Sequence, residues 1–592
     1  MKNKAIGFKK MLEDRFGMFV HYGIYSEMAG SFKGQTCRGI GEWIQHTLEI
    51  PIAEYEEFGK NNFLTKPTFA KELVAAAKSA GIRYIVLTAK HHDGFCLFKS
   101  EYTDYSTYGF FGRDICRELA DECRNQGLEL GFYYSHALDW YDKNGGGNFH
   151  CIHRKFTKHR NYWDYPDDNI DFEKYLREKS FPQVRELLTN YGDLKLIWFD
   201  FPHDITKEQS VELRNLVKSI QPNCQINSRI AHDCNDYESL SDNTLPVAPV
   251  GVNTECLVTL NDTWGYKEND RNWKTPEEAI GILCRAMNSN STLLLNVGPK
   301  GDGTLTDETV SILKSVGEWT RRNAEAVYGG VKGNPLATSF SWGYASHKDN
   351  NLYLYVTNKD YKEITVNVGK GNAVRDITVI GYDKRPKYGF SGNQITVTLS
   401  DCPFTVPVYR VEFKEKPVFP DFPLQNGDKL SLGTLWAHKV LEGDENGKSE
   451  KLKYEKSTFI PDYGKNGLAI NKNCHAYFWT DSREIMCWDT VFEEAGEYSA
   501  TMVHASFIAE DGAKDNLCGF SLTVADKTCD VNMKEELSRY SVSRTENAYN
   551  LRICRDAGRF IILKPGKYRV LLKRKEGGDS VPVTSVEFMK TN

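Results

Sequence analysis

Short hydrophobic runs alternate with longer amphipathic stretches through the first 330 residues of the chain. Near-continuous apolar runs are typical of strands buried on both faces of a parallel sheet. Such strands are predicted at Phe16–Tyr22, Tyr84–Thr88, Leu128–Tyr134, Leu194–Phe199, Cys224–Ser228 and Thr292–Val297. Helices are predicted between them at Phe69–Ala80, Ile115–Gln126, Phe172–Thr189, Lys207–Ser219, Pro276–Asn288 and Asp307–Arg322. This repeated unit predicts an α/β fold, a (β/α)8-like barrel, over residues 1–330.

The pattern changes after Gly330, where short alternating strands and polar turns replace the helical periodicity. We expect an antiparallel β-sandwich over residues 331–415, a proline-rich linker from Glu415 to Pro423, and a second antiparallel β-sandwich within residues 416–592. The last domain contains aromatic residues that suit either a carbohydrate-binding module or a packing or homo-oligomer contact: Trp436, Tyr477, Trp479 and Trp488. Packing is the favoured interpretation, because a tryptophan in a β-sandwich is usually part of the core.

Charge and composition exclude several classes of protein. With 75 Lys and Arg against 80 Asp and Glu, the net charge of −5 argues against a partner that is nucleic acid or an anionic membrane. No window approaches the roughly 18 unbroken apolar residues of a membrane span. The 15 cysteines lack metal-ligand spacing and mostly sit in apolar runs, which indicates reduced, buried thiols. The first ten residues have no apolar signal-peptide core, so we predict a cytoplasmic protein, or an exported one whose signal peptide has been removed.

Polar and aromatic side chains follow the apolar runs at six predicted strand ends. A lone histidine at such a position is more often structural, but six converging groups indicate a site, since the carboxyl ends of barrel strands face the active site. The groups are His21, His91-His92-Asp93, Tyr133-Tyr134, Trp198-Phe199-Asp200, Arg229 and Glu255. Two carboxylates among aromatic side chains favour glycoside hydrolysis. A metal site on the His-His-Asp run is disfavoured because no other cluster has metal-ligand spacing, and we predict no cofactor.

Several blocks of this sequence resemble the α-L-fucosidases of glycoside hydrolase family 29, in the order in which that family has them. The resemblance covers about residues 8–330 and leaves the last ~175 residues unmatched. The blocks are Arg15-Phe16-Gly17-Met18-Phe19-Val20-His21-Tyr22-Gly23, Lys90-His91-His92-Asp93-Gly94-Phe95, Gly131-Phe132-Tyr133-Tyr134-Ser135, Trp198-Phe199-Asp200, Trp264-Gly265-Tyr266-Lys267 and Leu294-Leu295-Asn296-Val297-Gly298-Pro299. The resemblance implies a retaining exo-α-L-fucosidase that acts on fucosylated oligosaccharides or glycoconjugates through a covalent intermediate.

The resemblance also implies roles for individual residues. Asp200 matches the family's nucleophile, and Arg229 matches an arginine that would keep the Asp200 carboxylate ionised. The remaining matches are to groups that hold the sugar: His21, Glu42, Trp43, His91, His92, Tyr133 and Trp198. Neutral imidazoles suit vicinal hydroxyls because they donate from one nitrogen and accept at the other.

The acid/base residue has two candidates. Glu255 corresponds to the glutamate of a Trp-Glu motif whose tryptophan is replaced here by Thr254, and Asp242 corresponds to an earlier position that other members use. Glu255 is favoured because the Trp-Gly-Tyr block that follows it is in clear register. The family often has glycine after the nucleophile, whereas Phe201 and Pro202 stand there in this chain, which predicts an unusual pocket rim. The altered context of Glu255 leaves open a non-catalytic fucose-binding protein, and a metal-dependent hydrolase is a third reading.

Overall fold

The chain begins with an eight-stranded parallel barrel. The computed structural model describes residues 9–151, 154–167, 169–246, 249, 251–399, 401–453, 468–470, 476–477, 483–505, 518–538, 541–542, 551–575 and 582–591. The barrel strands are β1 (Phe16–Val20), β2 (Tyr84–Lys90), β3 (Glu129–Ser135), β4 (Leu196–Asp200), β5 (Gln225–Ile226), β6 (Glu238–Ser239), β7 (Thr254–Thr259) and β8 (Thr292–Val297).

The strands pair side by side in the order β6-β7-β8-β1-β2-β3-β4-β5. A parallel bridge between Asn227 and Tyr237 joins the two ends of this sheet, so the barrel closes. The predicted barrel is confirmed. Strands β6 and β7 were not among the predicted apolar runs, because β6 has only two residues, both polar, and β7 carries a glutamate and three threonine or cysteine side chains.

Helices pack around the barrel in a ring that follows its strands. They are α1 (Ile24–Met28), α2 (Ile44–Thr47), α3 (Ile52–Asn62), α4 (Phe69–Ser79), α5 (Thr107–Phe111), α6 (Ile115–Gln126), α7 (Phe172–Tyr175), α8 (Phe181–Asn190), α9 (Lys207–Ile220), α10 (Pro276–Asn288), α11 (Asp307–Arg322) and α12 (Ala324–Val327). A capping box between Thr275 and Glu278, with Pro276 in the first turn, starts α10. Among the described residues, no helix combines the length and apolar character that a membrane crossing requires.

Two sets of antiparallel sheets follow the barrel. The first contains β9 (Gly343–Lys348), β10 (Asn351–Val356), β11 (Glu363–Asn367), β12 (Val374–Val379), β13 (Tyr388–Ser391), β14 (Gln394–Thr398) and β15 (Val408–Phe413). Its two sheets have the orders β9-β10-β15-β12 and β11-β14-β13, and they enclose a core of their own. This arrangement is the predicted first β-sandwich.

The second set has longer strands and again two sheets around one core. Its strands are β16 (Lys429–Gly433), β17 (His438–Leu441), β18 (Glu450–Lys451), β19 (Ala469–Ile470), β20 (Ala476–Tyr477), β21 (Glu484–Phe492), β22 (Gly496–Ala505), β23 (Phe520–Val524), β24 (Lys527–Asp530), β25 (Glu535–Leu537), β26 (Leu551–Ile562), β27 (Gly566–Arg574) and β28 (Val583–Lys590). One sheet runs β19-β20-β28-β22-β26-β25 with β16 beside β28, and the other runs β18-β17-β21-β27-β23-β24. The domain limits at residues 330 and 415 stay predictions.

The aromatic residues of the last domain that the structure describes serve packing. Trp488 is fully buried in the core, and its indole Nε1–H donates to the Gly433 carbonyl at 2.9 Å. Trp436 packs against the same core while partly buried. The side chain of Tyr477 and the whole of Trp479 lie outside the described residues. Of the described cysteines, each is a free thiol, and most are buried.

Candidate active site

The carboxyl ends of the first four barrel strands bring their polar groups to one pocket. Asp200 is the last residue of β4, and Tyr133 lies in the neighbouring strand β3. The Tyr133 hydroxyl donates to Asp200 Oδ2 at 2.9 Å, and His92 Nε2, two residues after β2, lies 3.8 Å from the same oxygen. The side chain of Asn227 exchanges two hydrogen bonds of 2.9 Å with the backbone of Phe199, which fixes the end of β4. Asp200 is therefore the centre on which these strands converge.

Arg229 joins two carboxylates. It lies in the short 3-10 turn Ser228–Ile230 after β5, where one terminal nitrogen donates to Asp200 Oδ1 at 2.9 Å and the other donates to Asp242 Oδ1. The Asp242 side chain is 32% exposed, whereas that of Asp200 is 14% exposed. One guanidinium thus holds a deep carboxylate and a carboxylate at the mouth of the pocket close to each other.

The pKa of Asp200 reflects this pairing. Burial would raise the pKa of the carboxyl, but the charge and hydrogen bonds of Arg229 and the hydroxyl of Tyr133 outweigh burial and hold the pKa below its ordinary value. Burial would likewise lower the pKa of Arg229, yet the charges of Asp242 and Asp200 raise it above its ordinary value. Asp200 is consequently an anion beside a permanent cation at neutral pH.

Aromatic rings form the floor beneath these groups. Trp198 is fully buried and stacks on Tyr133, with ring centroids 5.6 Å apart and an interplanar angle of 16°. Tyr133 in turn stacks on His91 at 5.4 Å and 11°. The guanidinium carbon of Arg229 lies 4.8 Å from the Trp198 ring centroid, within cation–π range. Trp264 closes the floor beside His21, at a centroid distance of 5.3 Å.

Three buried histidines line the pocket in neutral form. Burial lowers the pKa of His21 to about 4 and the pKa values of His91 and His92 well below the ordinary value. His21 Nδ1 pairs with Asn296 Oδ1 at 2.7 Å, and His92 Nδ1 pairs with Ser135 Oγ at 2.8 Å. Within the part of the chain that the structure describes, His91 Nδ1 is buried without a hydrogen-bond partner. A buried polar atom of this kind is suited to a ligand hydroxyl.

Glu42 and Trp43 reach the pocket from the short turn Gly41–Trp43. Glu42 is buried, and its carboxylate accepts a hydrogen bond from Gly265 N at 2.9 Å; burial, only partly offset by backbone donors, raises its pKa to about 7. A Cβ at Gly265 would lie 2.8 Å from the Tyr25 ring and 3.2 Å from the Cβ of Glu42. The glycine of the Trp-Gly-Tyr block is thus required for this close approach.

Phe201 follows the nucleophile candidate in the left-handed backbone region, with φ of 54°. Its ring contacts the rings of Trp43, His92, His159 and His203, at centroid distances of 5.9, 5.3, 5.3 and 4.1 Å. Strain of this kind persists only where the surroundings hold it. The predicted unusual rim therefore takes the form of an aromatic wall beside Asp200.

Glu255 does not reach the pocket. It is the second residue of β7, which begins at Thr254, and its neighbour across the sheet is Thr292, the first residue of β8. The expectation that Glu255 ends a strand was wrong, because the strand begins there and continues to Thr259. The side chain points into the barrel interior and is fully buried. The structure thus brings together the other residues to which the family resemblance assigns a role, and it leaves Glu255 below them.

The His-His-Asp run does not point its three side chains at one place. Asp93 turns away to accept hydrogen bonds from the Tyr55 hydroxyl at 3.0 Å and from Phe95 N at 3.2 Å. Burial raises its pKa to about 7. Among the described residues, no group of three or more histidine, cysteine, aspartate or glutamate side chains has the geometry to hold a metal ion.

Some residues of the site were not predicted. Asn296 and Trp264 stand in blocks that carried the family resemblance, so a closer look at those blocks could have found them. Trp140, whose ring lies 5.3 Å from that of Trp43, stands in the loop after β3, five residues beyond Ser135, and has no signal in the sequence. Loop residues of this sort are placed by tertiary packing alone.

A parallel barrel whose carboxyl end presents an ionised aspartate, a second carboxylate, neutral histidines and aromatic walls belongs to the class of glycoside hydrolases. The comparisons with known proteins narrow this class. The family model described as Alpha-L-fucosidase matches residues 7–325, and the chain is therefore a member of the α-L-fucosidase family, whose members release fucose from glycosides.

Known relatives agree with this assignment. The chain is 26% identical over 372 residues to an α-L-fucosidase of Dictyostelium discoideum, covering 58% of this chain and 76% of the relative. It is 26% identical over 337 residues to the human plasma α-L-fucosidase, covering 53% and 68%. The α-L-fucosidase AlfC from Lactobacillus casei, solved with α-L-fucose product, is 36% identical with a TM-score of 0.50 over 54% of this chain and 99% of that one.

One solved structure matches the whole chain. The α-L-fucosidase from Vibrio sp. strain EJY3 has a TM-score of 0.79 and 24% identity over 100% of this chain and 98% of that one. At this level of identity the match concerns the fold. It extends the likeness beyond the barrel to both sets of antiparallel sheets.

Proposed function

We propose that this protein is a retaining exo-α-L-fucosidase that cleaves terminal α-L-fucose through a covalent fucosyl-enzyme intermediate. The observation that carries the proposal is the guanidinium of Arg229, which holds the carboxylates of Asp200 and Asp242 at the same time. Retaining glycosidases use two carboxyl groups about 5–5.5 Å apart, one as nucleophile and one as acid/base. The contact of both carboxylates with one guanidinium supports such a pair here. Asp200 serves as the nucleophile and Asp242 as the acid/base.

In the first step, Asp200 attacks the anomeric carbon of fucose while the bond to the glycosidic oxygen breaks. Asp242, in its protonated form, gives its proton to that oxygen, so the leaving group departs as an alcohol. The pairing with Arg229 and Tyr133 favours the anionic form of Asp200 that this attack requires. Tyr133 and Arg229 also hold the two carboxylate oxygens in fixed directions, which lowers the entropic cost of the attack.

In the second step, the Asp242 carboxylate takes a proton from a water molecule that attacks the anomeric carbon. The ester bond to Asp200 breaks, the carboxylate is regenerated, and fucose leaves with net retention. Once Asp200 is an ester it carries no charge, so Asp242 is the remaining anionic partner of Arg229. Arg229 also donates to Asp242, which serves as the base in this step.

The preference for Asp242 over Glu255 follows from access. Asp242 is partly exposed at the pocket mouth, where a leaving group passes, whereas Glu255 is enclosed by the barrel interior. A general acid has to lie within hydrogen-bond reach of the oxygen that it protonates. The non-catalytic alternative depended on the altered surroundings of Glu255, and with Asp242 in the acid/base position that support is gone.

The remaining pocket residues bind the sugar. The neutral imidazoles of His21, His91 and His92 can each donate and accept, which suits the vicinal hydroxyls of fucose. Glu42 and Trp43, from the turn Gly41–Trp43, add one carboxyl group and one aromatic ring, and the Trp43 ring lies 5.3 Å from that of His92. The aromatic floor closes the bottom of the pocket, so a glycan cannot continue beyond the sugar that rests on it. This supports exo action, in which only a terminal fucose is removed.

The test is fucose release by the full chain. We expect hydrolysis of p-nitrophenyl α-L-fucoside and of at least one of the α1,2-, α1,3-, α1,4- and α1,6-fucosylated oligosaccharides in a linkage panel. Release of fucose from none of these substrates would overturn the proposal. Tight fucose binding without turnover would decide for the binding protein, and loss of activity with a chelator would decide for the metal-dependent hydrolase.

The same proposal covers the whole chain. Residues 1–330 are the catalytic barrel, residues 331–415 the first β-sandwich, and residues 416–592 a sandwich whose described tryptophans pack inside it. The substrate is a fucosylated oligosaccharide or glycoconjugate, with the protein in a reducing compartment where its thiols stay free. Truncation near Pro417 should leave the rate on soluble fucosides unchanged if the last domain binds glycan, and should lower folding yield or change the oligomeric state if it packs.

A further inference from the structure

Glu255 is a buried carboxylate that the proposed reaction does not use. Its Oε1 accepts a hydrogen bond from the Tyr84 hydroxyl at 3.1 Å, and its Oε2 accepts from the Trp198 indole Nε1–H at 3.0 Å and from the Tyr237 hydroxyl at 3.2 Å. The side chain is fully buried. A carboxyl group in a barrel interior is costly to bury, and an apolar side chain would fill the space without that cost. The three hydrogen bonds that Glu255 accepts indicate that it orients at least one of the side chains that donate them.

Trp198 is the donor whose orientation matters most to the site. Its ring stacks on Tyr133 on one side and lies under the guanidinium of Arg229, with distances of 5.6 Å and 4.8 Å to the ring centroid. Tyr133 and Arg229 are also the two side chains that donate to Asp200. The plane of one indole ring therefore sets where both partners of the nucleophile can lie.

An indole ring has one polar atom that can fix its rotation, the Nε1–H. In Trp198 this donor points down into the barrel and away from the pocket, where Glu255 accepts it. The chain of contacts runs from Glu255 to Trp198, from Trp198 to Tyr133 and Arg229, and from these two to Asp200.

We infer that Glu255 is a positioning residue for the nucleophile: it fixes the ring of Trp198, and through that ring it orients the two side chains that hold Asp200. The inference rests on the proposed role of Asp200. Displacements of about 1 Å away from the reacting atoms can lower a rate by roughly 10²-fold, so a contact one ring removed from the nucleophile is sufficient for a large effect.

Substitution separates the hydrogen bond from the charge. Glu255→Gln keeps a carbonyl oxygen that accepts from Trp198, while its amide can donate to the Tyr84 hydroxyl, which also accepts. Glu255→Leu removes the acceptor and leaves the indole N–H without a partner. We expect E255Q to retain at least about a third of the wild-type kcat and E255L to fall by roughly 10- to 100-fold, with little change in KM.

The acidic limb of the kcat/KM profile distinguishes positioning from a general loss of folded enzyme. The ionisable groups around Glu255 are Tyr84, Tyr237 and Lys195. Those around Asp200 are Arg229, Tyr133, His21, His91, His92, His136 and His203. If the ring of Trp198 moves, Arg229 and Tyr133 hold the Asp200 anion less well, and the acidic limb shifts to higher pH in E255L. A purely structural loss lowers the amplitude and leaves the limb in place. Glu186→Leu removes another buried carboxylate, which lies on helix α8 and accepts a hydrogen bond from Glu101 N, and it should leave the limb unchanged.

A double-mutant cycle identifies the route of the effect. Trp198→Phe removes the indole N–H but keeps an aromatic ring. In that background E255L should lower kcat by less than about threefold, because the contact through which Glu255 acts is already absent. Equal losses from E255L in both backgrounds, or an unshifted acidic limb, would overturn the inference. If E255L does not fold, W198F tests the inference alone, because it removes the same hydrogen bond from the tryptophan side. Its acidic limb should then shift to higher pH, and an unshifted limb would overturn the inference.

Crystal structures of E255L and E255Q give a measurement that needs no turnover. The Trp198 ring should leave the plane of Tyr133 in E255L and stay stacked on it in E255Q. An unmoved ring in E255L would overturn the positioning role even in an active enzyme. A wild-type protein that releases no fucose would overturn the proposed function, while the two structures would still decide whether Glu255 orients Trp198.

Discussion

Two buried carboxylates lie at different depths of the same barrel, and their surroundings differ. Asp200, at the carboxyl end, faces the guanidinium of Arg229, and the pKa of its carboxyl lies below the ordinary value. Glu255, in the interior near the amino end, faces three neutral donors, and burial raises its pKa to about 7 despite their hydrogen bonds. Between these two carboxylates, the cation in contact with Asp200, rather than the number of donors, accounts for the lower pKa.

The difference in pKa matches the difference in role. A nucleophile has to be ionised at the working pH, whereas a residue that only accepts hydrogen bonds serves in either form. Arg229 therefore acts directly on the nucleophile. The tyrosine hydroxyls around Glu255 only hold a residue that lies below the pocket.

The largest effect is expected at Asp200. Asp200→Ala should lower kcat by roughly 10⁴-fold or more, because the variant lacks the carboxylate on which the proposed covalent intermediate forms. Azide should partly restore turnover in the Ala variant, where it fits the vacated space, and restore little in Asp200→Asn. Steady-state rates on p-nitrophenyl α-L-fucoside measure this, with the exposed Asp121→Asn as a control. Full activity without the Asp200 carboxylate would refute its role as nucleophile.

Asp242 should show a loss that depends on the leaving group. Asp242→Ala removes the proton donor, so hydrolysis of unactivated fucosyl oligosaccharides should fall by about 10²–10⁴-fold. Aryl fucosides with good leaving groups need less proton donation and should be affected far less in the first step. Parallel rates on both substrate types measure the ratio. The same selective pattern in Glu255→Ala, and its absence in Asp242→Ala, would return the acid/base role to Glu255.

Arg229 should control the pH range of activity. The pKa of Asp200 is depressed, so activity that needs its anion persists above that low value and is lost only as the pH falls through it. Arg229→Met removes the cation and should raise the acidic limb of kcat/KM by roughly 1–3 pH units. The pH profile on an aryl fucoside measures the shift. An acidic limb that stays in place in this variant would contradict the pairing of Asp200 with Arg229.

Glu255 should make the stability of the fold depend on pH, with stability lost as the pH rises. This effect should be smaller than the effects on activity at Asp200, Asp242 and Arg229. A carboxyl whose folded pKa is raised contributes stability that is present below the unfolded pKa, near 4.3, and is lost as the pH rises through about 7. Glu255→Gln cannot ionise, so its stability relative to wild type should increase by on the order of 1–3 kcal/mol between pH 5 and pH 8. Urea unfolding at both pH values measures the difference between the two proteins. An equal change in both would show that Glu255 does not titrate in this window.

Much of the barrel could be predicted from the sequence, because the strands β1, β2, β3, β4 and β8 are apolar runs with a simple reason to be buried. The short strand β6 carries no such signal, and β7 has only a weak one. The error at Glu255 has the same origin, since the register of β7 decides whether this side chain lies at the pocket or below it. Periodicity does not set register in a strand that is buried on both faces.

The site itself was predicted where a residue follows a strong strand or stands in a motif block. His21, His91, Tyr133 and Asp200 are of this kind. The bridge from Arg229 to Asp242 depends on how the loop after β6 folds back, and the packing of Trp140 depends on the loop after β3. Loop conformations of this type follow from tertiary contacts, which local sequence patterns do not encode.

The central claim, that Asp200 is the nucleophile of a retaining fucosidase, is tested most directly by trapping the intermediate. A 2-deoxy-2-fluoro-α-L-fucosyl donor with a good leaving group should inactivate the enzyme and add one fluorofucosyl group, which peptide mass spectrometry should locate on Asp200. The Asp200→Ala variant should remain unlabelled. A label on Asp242, Glu255 or another residue, or turnover with inversion and no label, would contradict the account.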